Sequence, residues 1–175
     1  MSDHAEERLT AIFHEHADAV RAYVSTLVPA ESVDDVVSDT FLAAWRRIGD
    51  VPQAPRGWLI GTARRAASNN RRGARRRISL VDRLAGRAPQ DMAADHTDDS
   101  PAADSVRAAL AGMSERDRET LVLSAWLDLD NATAAEVLGC TTRTFAVRLH
   151  RARTRLAEEL RSRTDHHHAR GTSHG

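Results

Sequence analysis

Twenty-five arginines and no lysine supply all the fixed positive charge of this chain, and their spacing gathers them where they could work on a polyanion. Around Gly139, a short segment with Ala132, Ala135, Val137 and Leu138 meets a longer one that begins Thr141-Thr142-Arg143. Two helices joined by a tight glycine turn have helix-turn-helix spacing. On a 100° wheel Phe145, Leu149, Ala152 and Leu156 fall within about 60° of one another and face inward. Arg148, Arg151 and Arg155 form the neighbouring stripe, with Arg143 and Val147 near its edge. Such a helix fits a major groove, where Arg reaches phosphate or guanine N7 and O6. An amphipathic helix with a merely solvated basic face has the same pattern. The second constellation is Trp58 followed by Arg64, Arg65, Arg71, Arg72, Arg75, Arg76 and Arg77, with the amides of Asn69 and Asn70 between them. Arginines beside an aromatic platform suit a strand whose bases are unstacked, whereas Trp58 by itself fits a core position better.

Other chemistry finds little support. His14 and His16 stand at an i, i+2 spacing that does not share a helix face, His166, His167 and His168 are a bare triplet, and neither a cysteine cluster nor HExxH occurs. No metal site and no cofactor are expected. Asp34 and Asp35 are adjacent and diverge on a helix, and no set of nucleophile, base and orienter stands out, so an enzyme is not expected. Cys140 is the single cysteine and cannot form an intramolecular disulfide.

These side chains need elements to hold them. The 175 residues, 41% of them hydrophobic, suffice for one ordinary domain or two small ones. Leu9, Ile12, Phe13, His16, Val20, Tyr23 and Leu27 recur at steps of three and four and predict one core-facing stripe on a helix that Pro29 ends. A second helix over 32–48 should turn Val37, Phe41, Ala44, Trp45 and Ile48 inward and leave Asp34, Asp35, Ser38 and Asp39 outside. Gly49, Pro52 and Pro55 interrupt the pattern, and a third helix from Arg56 carries Trp58, Leu59, Thr62, Ala63 and Ala66 before ending in the basic run 71–77.

Six aspartates and few large apolar groups between 79 and 104 predict a flexible acidic linker. Helical periodicity returns at Val106, Leu110 and Met113. Ser114 with Asp117 offers an N-cap for a helix carrying Leu121, Val122 and Ala125, and Asp130 one for a short helix over 131–138 that Gly139 ends. A last helix runs over 142–160.

The expected fold is therefore all-α, with helical domains at 1–78 and 105–162, a linker at 79–104 and a disordered polar tail at 163–175. Net charge is zero, but four successive blocks ending at residues 50, 90, 140 and 175 carry −6, +9, −8 and +5. That alternation matters more for partners than the total. No apolar run approaches the ~20 residues of a membrane span and no signal peptide is evident, so a cytoplasmic chain without membrane contact is the expectation.

Three stretches carry a family resemblance. Asp35-Val36-Val37-Ser38-Asp39-Thr40-Phe41-Leu42-Ala43-Ala44-Trp45 resembles the sigma region 2.2 pattern D-L-V-Q-E-T-F-L-R-A-W. Trp58-Leu59 through Ala63-Arg64, with the arginines after it, resembles regions 2.3 and 2.4, W-L-x-x-I-A-R-N. Leu138-Gly139-Cys140-Thr141-Thr142-Arg143-Thr144-Phe145 with Arg148-Leu149-His150-Arg151-Ala152-Arg153 is similar to region 4.2, L-G-I-S-x-G-T-V-K-S-R-L-H-R-A-R. Their order and spacing identify the chain as similar to extracytoplasmic-function sigma factors, the two-domain class of bacterial initiation factor.

The resemblance implies core RNA polymerase, through its β′ clamp helices and β flap, and promoter DNA as partners, with an anti-sigma protein besides. It implies polymerase contacts at Asp35, Ser38, Asp39 and Trp45. It implies minus-ten strand contacts at Trp58, Arg64, Arg65, Asn69, Arg71 and Arg72, and minus-thirty-five contacts at Arg143, Thr144, Val147, Arg148 and Arg151. The sequence departs from the family pattern at Ser38 for Gln, Thr62 for an apolar residue, Arg65 for Asn, Asn69 for Asp, Asp128 for Gly, and Ala146-Val147 for Lys-Ser. The alternatives are a stand-alone helix-turn-helix regulator on a palindromic site and, further off, a helical metal-dependent enzyme.

Overall fold

The computed structural model describes residues 2–85, 106 and 108–171, and every regular element among them is helical. Two compact units, Met1–Asp95 and His96–Gly175, divide the chain.

In the first unit α1 spans Ser2–Ser25, α2 Ala30–Arg46 and α3 Arg56–Ala85. The hydroxyls of Ser25 and Thr26 donate to the carbonyls of Ala22 and Tyr23 at 2.8 and 2.7 Å, closing the last turn of α1. Pro29 then stands at the N-cap of α2, where the missing N–H costs nothing. The three helices enclose Val20, Tyr23 and Val24 from α1, Val33, Val36, Val37, Phe41 and Ala44 from α2, and Leu59, Ile60, Ala63 and Ala67 from α3. Burying each of the larger side chains contributes about 1.5–3 kcal/mol. His16 is buried on this face, where the periodicity puts it.

Two aromatic positions differ from the sequence reading. Phe13 is 45% exposed, with one edge on Phe41 at 4.8 Å between ring centroids. It shares a wheel flank with the fully buried Val24, so its angle alone did not decide its burial. What differs is which neighbour covers that level of the helix. Trp45 is 37% exposed because it lies about 100° round from the centre of the α2 buried face.

Between α2 and α3 a 3-10 turn, Ile48–Asp50, leads to Val51, which is buried. Arg8 from α1 fastens this connection by donating to the carbonyl of Ile48 at 2.9 Å and to that of Val51.

Helix α3 does not stop at the basic run. It continues to Ala85, past the expected linker start at 79, because no proline occurs between Arg56 and Ala85 and Arg is a good helix former. The rest of the expected linker, 86–104, lies outside the described residues.

Among its described residues the second unit has a helical turn over 108–111 and then α4, Glu115–Leu121, whose N-cap Ser114 accepts from the N–H of Asp117 at 3.1 Å. A π-helical turn over Val122–Trp126 follows, and Asp128 then takes φ +49°. The family glycine at that position answers a left-handed backbone, which Asp tolerates better than most side chains.

Helix α5, Asn131–Leu138, is capped by Asp130, whose Oδ1 accepts from the N–H groups of Ala132 and Thr133, both at 2.9 Å. Gly139 at φ +65° ends it, with the N–H of Cys140 reaching back to Ala135 O at 2.9 Å, a Schellman closure. Helix α6 spans Thr142–Gly171, packs on α4 and α5 and buries Phe145, Leu149 and Ala152; Leu121, Val122, Leu123, Leu127, Leu129, Ala134 and Ala135 are the other buried apolar residues of this stretch. It too outruns its expected end: 163–171, read as tail, continue the helix, since no glycine or proline intervenes before Gly171.

Candidate nucleic-acid interface

On α3, positions 58, 62, 65, 69, 72 and 76 fall within about 80° of one another on the wheel, opposite a core made by Ile60, Ala63 and Ala67. Trp58, Arg65, Asn69 and Arg72 from the sequence-derived set thus share one stripe, with Arg76 extending it. Arg64 and Arg71 do not; both are half-buried, about 120–140° round from the centre of the stripe, on the flank of the core face. Arg65, Asn69, Arg72 and Arg76 are exposed, and no carboxylate interrupts them.

The stripe is internally ordered. Arg65 donates to Thr62 Oγ1 at 3.1 Å, and Arg72 donates to Asn69 Oδ1 at 2.6 Å. The two readings of Trp58 meet midway, for it is half-buried, and the guanidinium of Arg47 sits 5.9 Å from its ring centroid. Arg47 is itself held by Asp50 at 3.0 Å. An indole under a cation is a platform already occupied on one side.

On α6 the outward face is Arg143, Val147, His150, Arg151 and Thr154, all exposed. Of the expected contacts, Arg143, Val147 and Arg151 lie on it. Arg148 is half-buried at its edge, and Thr144 is half-buried with its hydroxyl 2.8 Å from that of Thr141, which caps the helix by accepting from the N–H of Thr144. Arg155, read from sequence as part of the basic stripe, instead pairs with Asp117, whose side chain is only 10% exposed. A carboxylate that deeply buried requires a counter-charge, and Arg155 supplies it. His150 was missed. The same wheel that buried Leu149 places His150 on the outward face, at the edge opposite Arg151, and only the attention given to arginine hid it.

On α2 the expected polymerase contacts Asp35, Ser38, Asp39 and Trp45 are all exposed on one face. Leu42, 44% exposed, stands among them and was not singled out. Arg21 pairs with the adjacent Asp34 at 2.6 Å, but both side chains are mostly solvated, so the pair adds little. Among the described residues no helix is long and apolar enough to cross a membrane, and no group of three or more His, Cys, Asp and Glu is arranged to hold a metal.

Comparison with known proteins matches residues 12–77 to the family model described as Sigma-70 region 2, and residues 103–156 to Sigma-70, region 4. The chain is 31% identical over 147 residues to the RNA polymerase sigma factor NccH of Alcaligenes xylosoxydans xylosoxydans, covering 77% of this chain and 76% of that one. It is 30% identical over 141 residues to the ECF RNA polymerase sigma factor SigC of Mycobacterium tuberculosis, covering 77% and 73%. Among solved structures it resembles the sigma factor RpoE of Bartonella quintana in complex with the anti-sigma factor NepR, with TM-score 0.72 and 25% identity over 87% of this chain and 96% of that one. It also resembles CnrH in complex with the cytosolic domain of CnrY, with TM-score 0.60 and 25% identity over 90% and 95%.

Proposed function

The chain belongs to the extracytoplasmic-function class of RNA polymerase sigma factors, and from that membership we propose how its surfaces divide the work of starting transcription. It is an alternative sigma factor for transcription initiation, and the partners of such a factor are core RNA polymerase and promoter DNA. We assign it no catalysis of its own and a place in the cytoplasm. The folded units are assigned to 1–78 and 105–162, with the helical extensions to Ala85 and Gly171 lying beyond them.

The α2 face of Asp35, Ser38, Asp39, Leu42 and Trp45 docks on the polymerase clamp, and the second unit meets the β flap. The α3 stripe of Trp58, Arg65, Asn69, Arg72 and Arg76 holds the opened minus-ten strand, while Arg64 and Arg71, on another side of the helix, add positive charge to the same segment. The outward face of α6 reads the minus-thirty-five duplex through Arg143, Val147, His150 and Arg151. Arg148 borders that face, and Thr144 shapes the start of the helix. One solved relative is bound to an anti-sigma factor, and another to the cytosolic domain of CnrY. An antagonist protein that occupies the free factor is part of the same reading.

The observation that carries the assignment is the α3 stripe, an unbroken row of exposed cations and one amide, with an indole at its head, on a helix whose opposite face is core. A stand-alone regulator accounts for α5 and α6 but leaves this stripe without a task. The test uses holoenzyme reconstituted with core polymerase on a promoter selected by the wild-type factor. Arg65→Ala with Arg72→Ala should reduce permanganate-detected opening and flatten its salt dependence by about 0.7 of a log-log unit per lost single-strand phosphate contact. Undiminished opening with an unchanged slope rules the assignment out.

A further inference from the structure

Thr62 departs from the apolar residue usual at its position, and it is buried, 8% exposed, one helical turn before the exposed Arg65. Its hydroxyl donates to the carbonyl of Trp58 at 2.8 Å and accepts from the guanidinium of Arg65 at 3.1 Å. A hydroxyl offers one donor and two acceptor sites, so a single oxygen serves both bonds, and the donated bond fixes the direction in which its lone pairs point. We infer that Thr62 is a positioning residue for strand binding, holding the Arg65 guanidinium along the α3 stripe. This rests on the assignment of that stripe to the opened minus-ten strand.

Three features support the role. Arg65 spends one N–H on Thr62 and keeps the others of its five for a phosphate or a base edge. The arrangement recurs seven residues on, where Arg72 donates to Asn69 Oδ1 at 2.6 Å. Two successive arginines on one stripe are thus each braced by the residue three positions earlier, about 10 Å apart along the axis. Finally, the bond from Thr62 to Trp58 links the brace to the backbone beneath the indole at the head of the stripe. A long side chain restrained before binding loses less freedom on binding, so the brace should raise affinity without touching DNA.

The competing reading is that Thr62 merely back-bonds within its own helix, a common habit of buried threonine. A double-mutant cycle separates the two. The probe is a fluorescent fork-junction DNA whose single strand was selected from a random pool by wild-type holoenzyme. Affinity and salt slope are measured for holoenzymes carrying Thr62→Val, Thr62→Ser, Arg65→Ala, Arg72→Ala and Thr62→Val with Arg65→Ala, while melting of each free factor checks the fold.

The expected results are a loss of about threefold to tenfold for Thr62→Val, near wild-type binding for Thr62→Ser, and no further loss when Thr62→Val is added to Arg65→Ala. An equal loss from Thr62→Val in both backgrounds, or none in the wild-type background, overturns the inference while a weakened Arg65→Ala leaves the stripe assignment standing. If Arg65→Ala and Arg72→Ala are both silent, the stripe assignment falls and takes the brace with it.

Discussion

A guanidinium four positions from another on α6 has a quite different fate when its neighbour is a buried carboxylate. Arg155 answers Asp117, Arg148 is half-buried, and Arg151 stands clear. Arg151→Ala should therefore cost about 1–3 kcal/mol and relax preference at one base pair if its contact is a bidentate guanine. Arg148→Ala should weaken all sequences alike. A base-substitution series scored by footprinting distinguishes them, and identical behaviour of the two variants would contradict the placement. The wheel made Phe145, Leu149 and Ala152 legible as core because burial of an apolar side chain follows its angle. It misassigned Arg155 because the partner sits 38 residues away on α4, and an angle carries no information about such a partner. Phe13 failed for the same reason.

At the scale of elements, the starts of helices were easier to read than their ends. Ser114 and Asp130 are short-range caps, and both bond as their spacing requires. The far ends of α3 and α6 were set too early, because a basic or polar composition was read as loss of structure although no helix breaker stood there. The Asp130 cap has a measurable signature. The N–H of Thr133, its hydroxyl and the N–H of Ala132 hold the carboxyl below its ordinary value, despite some opposing desolvation. A lowered folded pKa means stabilisation fully present above the unfolded value of about 3.9 and lost as pH falls through the folded one. Thermal melting should accordingly show Asp130→Ala less stable than wild type near neutral pH, with the gap closing in acid. Asp130→Asn, which can still accept, should stay close to wild type at neutral pH. A gap that persists unchanged in acid would exclude the cap as its source.

Across the whole chain, zero net charge conceals surfaces of opposite sign on one folded unit, an acidic face on α2 and a basic stripe on α3. The acidic face was readable because Asp35, Ser38 and Asp39 lie outside an apolar stripe. Leu42 and Trp45 were harder, since large apolar side chains are assigned inward by default. Reversing Asp35 and Asp39 to Arg should weaken association with core polymerase while leaving helicity intact, exposed substitutions costing within about ±0.5 kcal/mol. Fluorescence anisotropy with labelled factor measures this, and unchanged affinity in a folded variant would remove α2 from the polymerase contact.

The unbroken course of α3 makes its basic residues graduations on a ruler of fixed phase. Each residue advances the row by about 1.5 Å and 100°. A substitution at 65, 69, 72 or 76 therefore erases one mark, whereas a single alanine inserted after Asn70 leaves Trp58, Arg65 and Asn69 in place and swings the marks at 72 and 76 a quarter-turn or more out of line. Among the described residues of α3, the last buried one, Ala67, precedes the insertion, and those before it keep their register. Such a variant should melt like the wild type and yet lose as much strand affinity as the double replacement of Arg72 and Arg76 by alanine. Along this segment, changes of length should be tolerated less than changes of side chain.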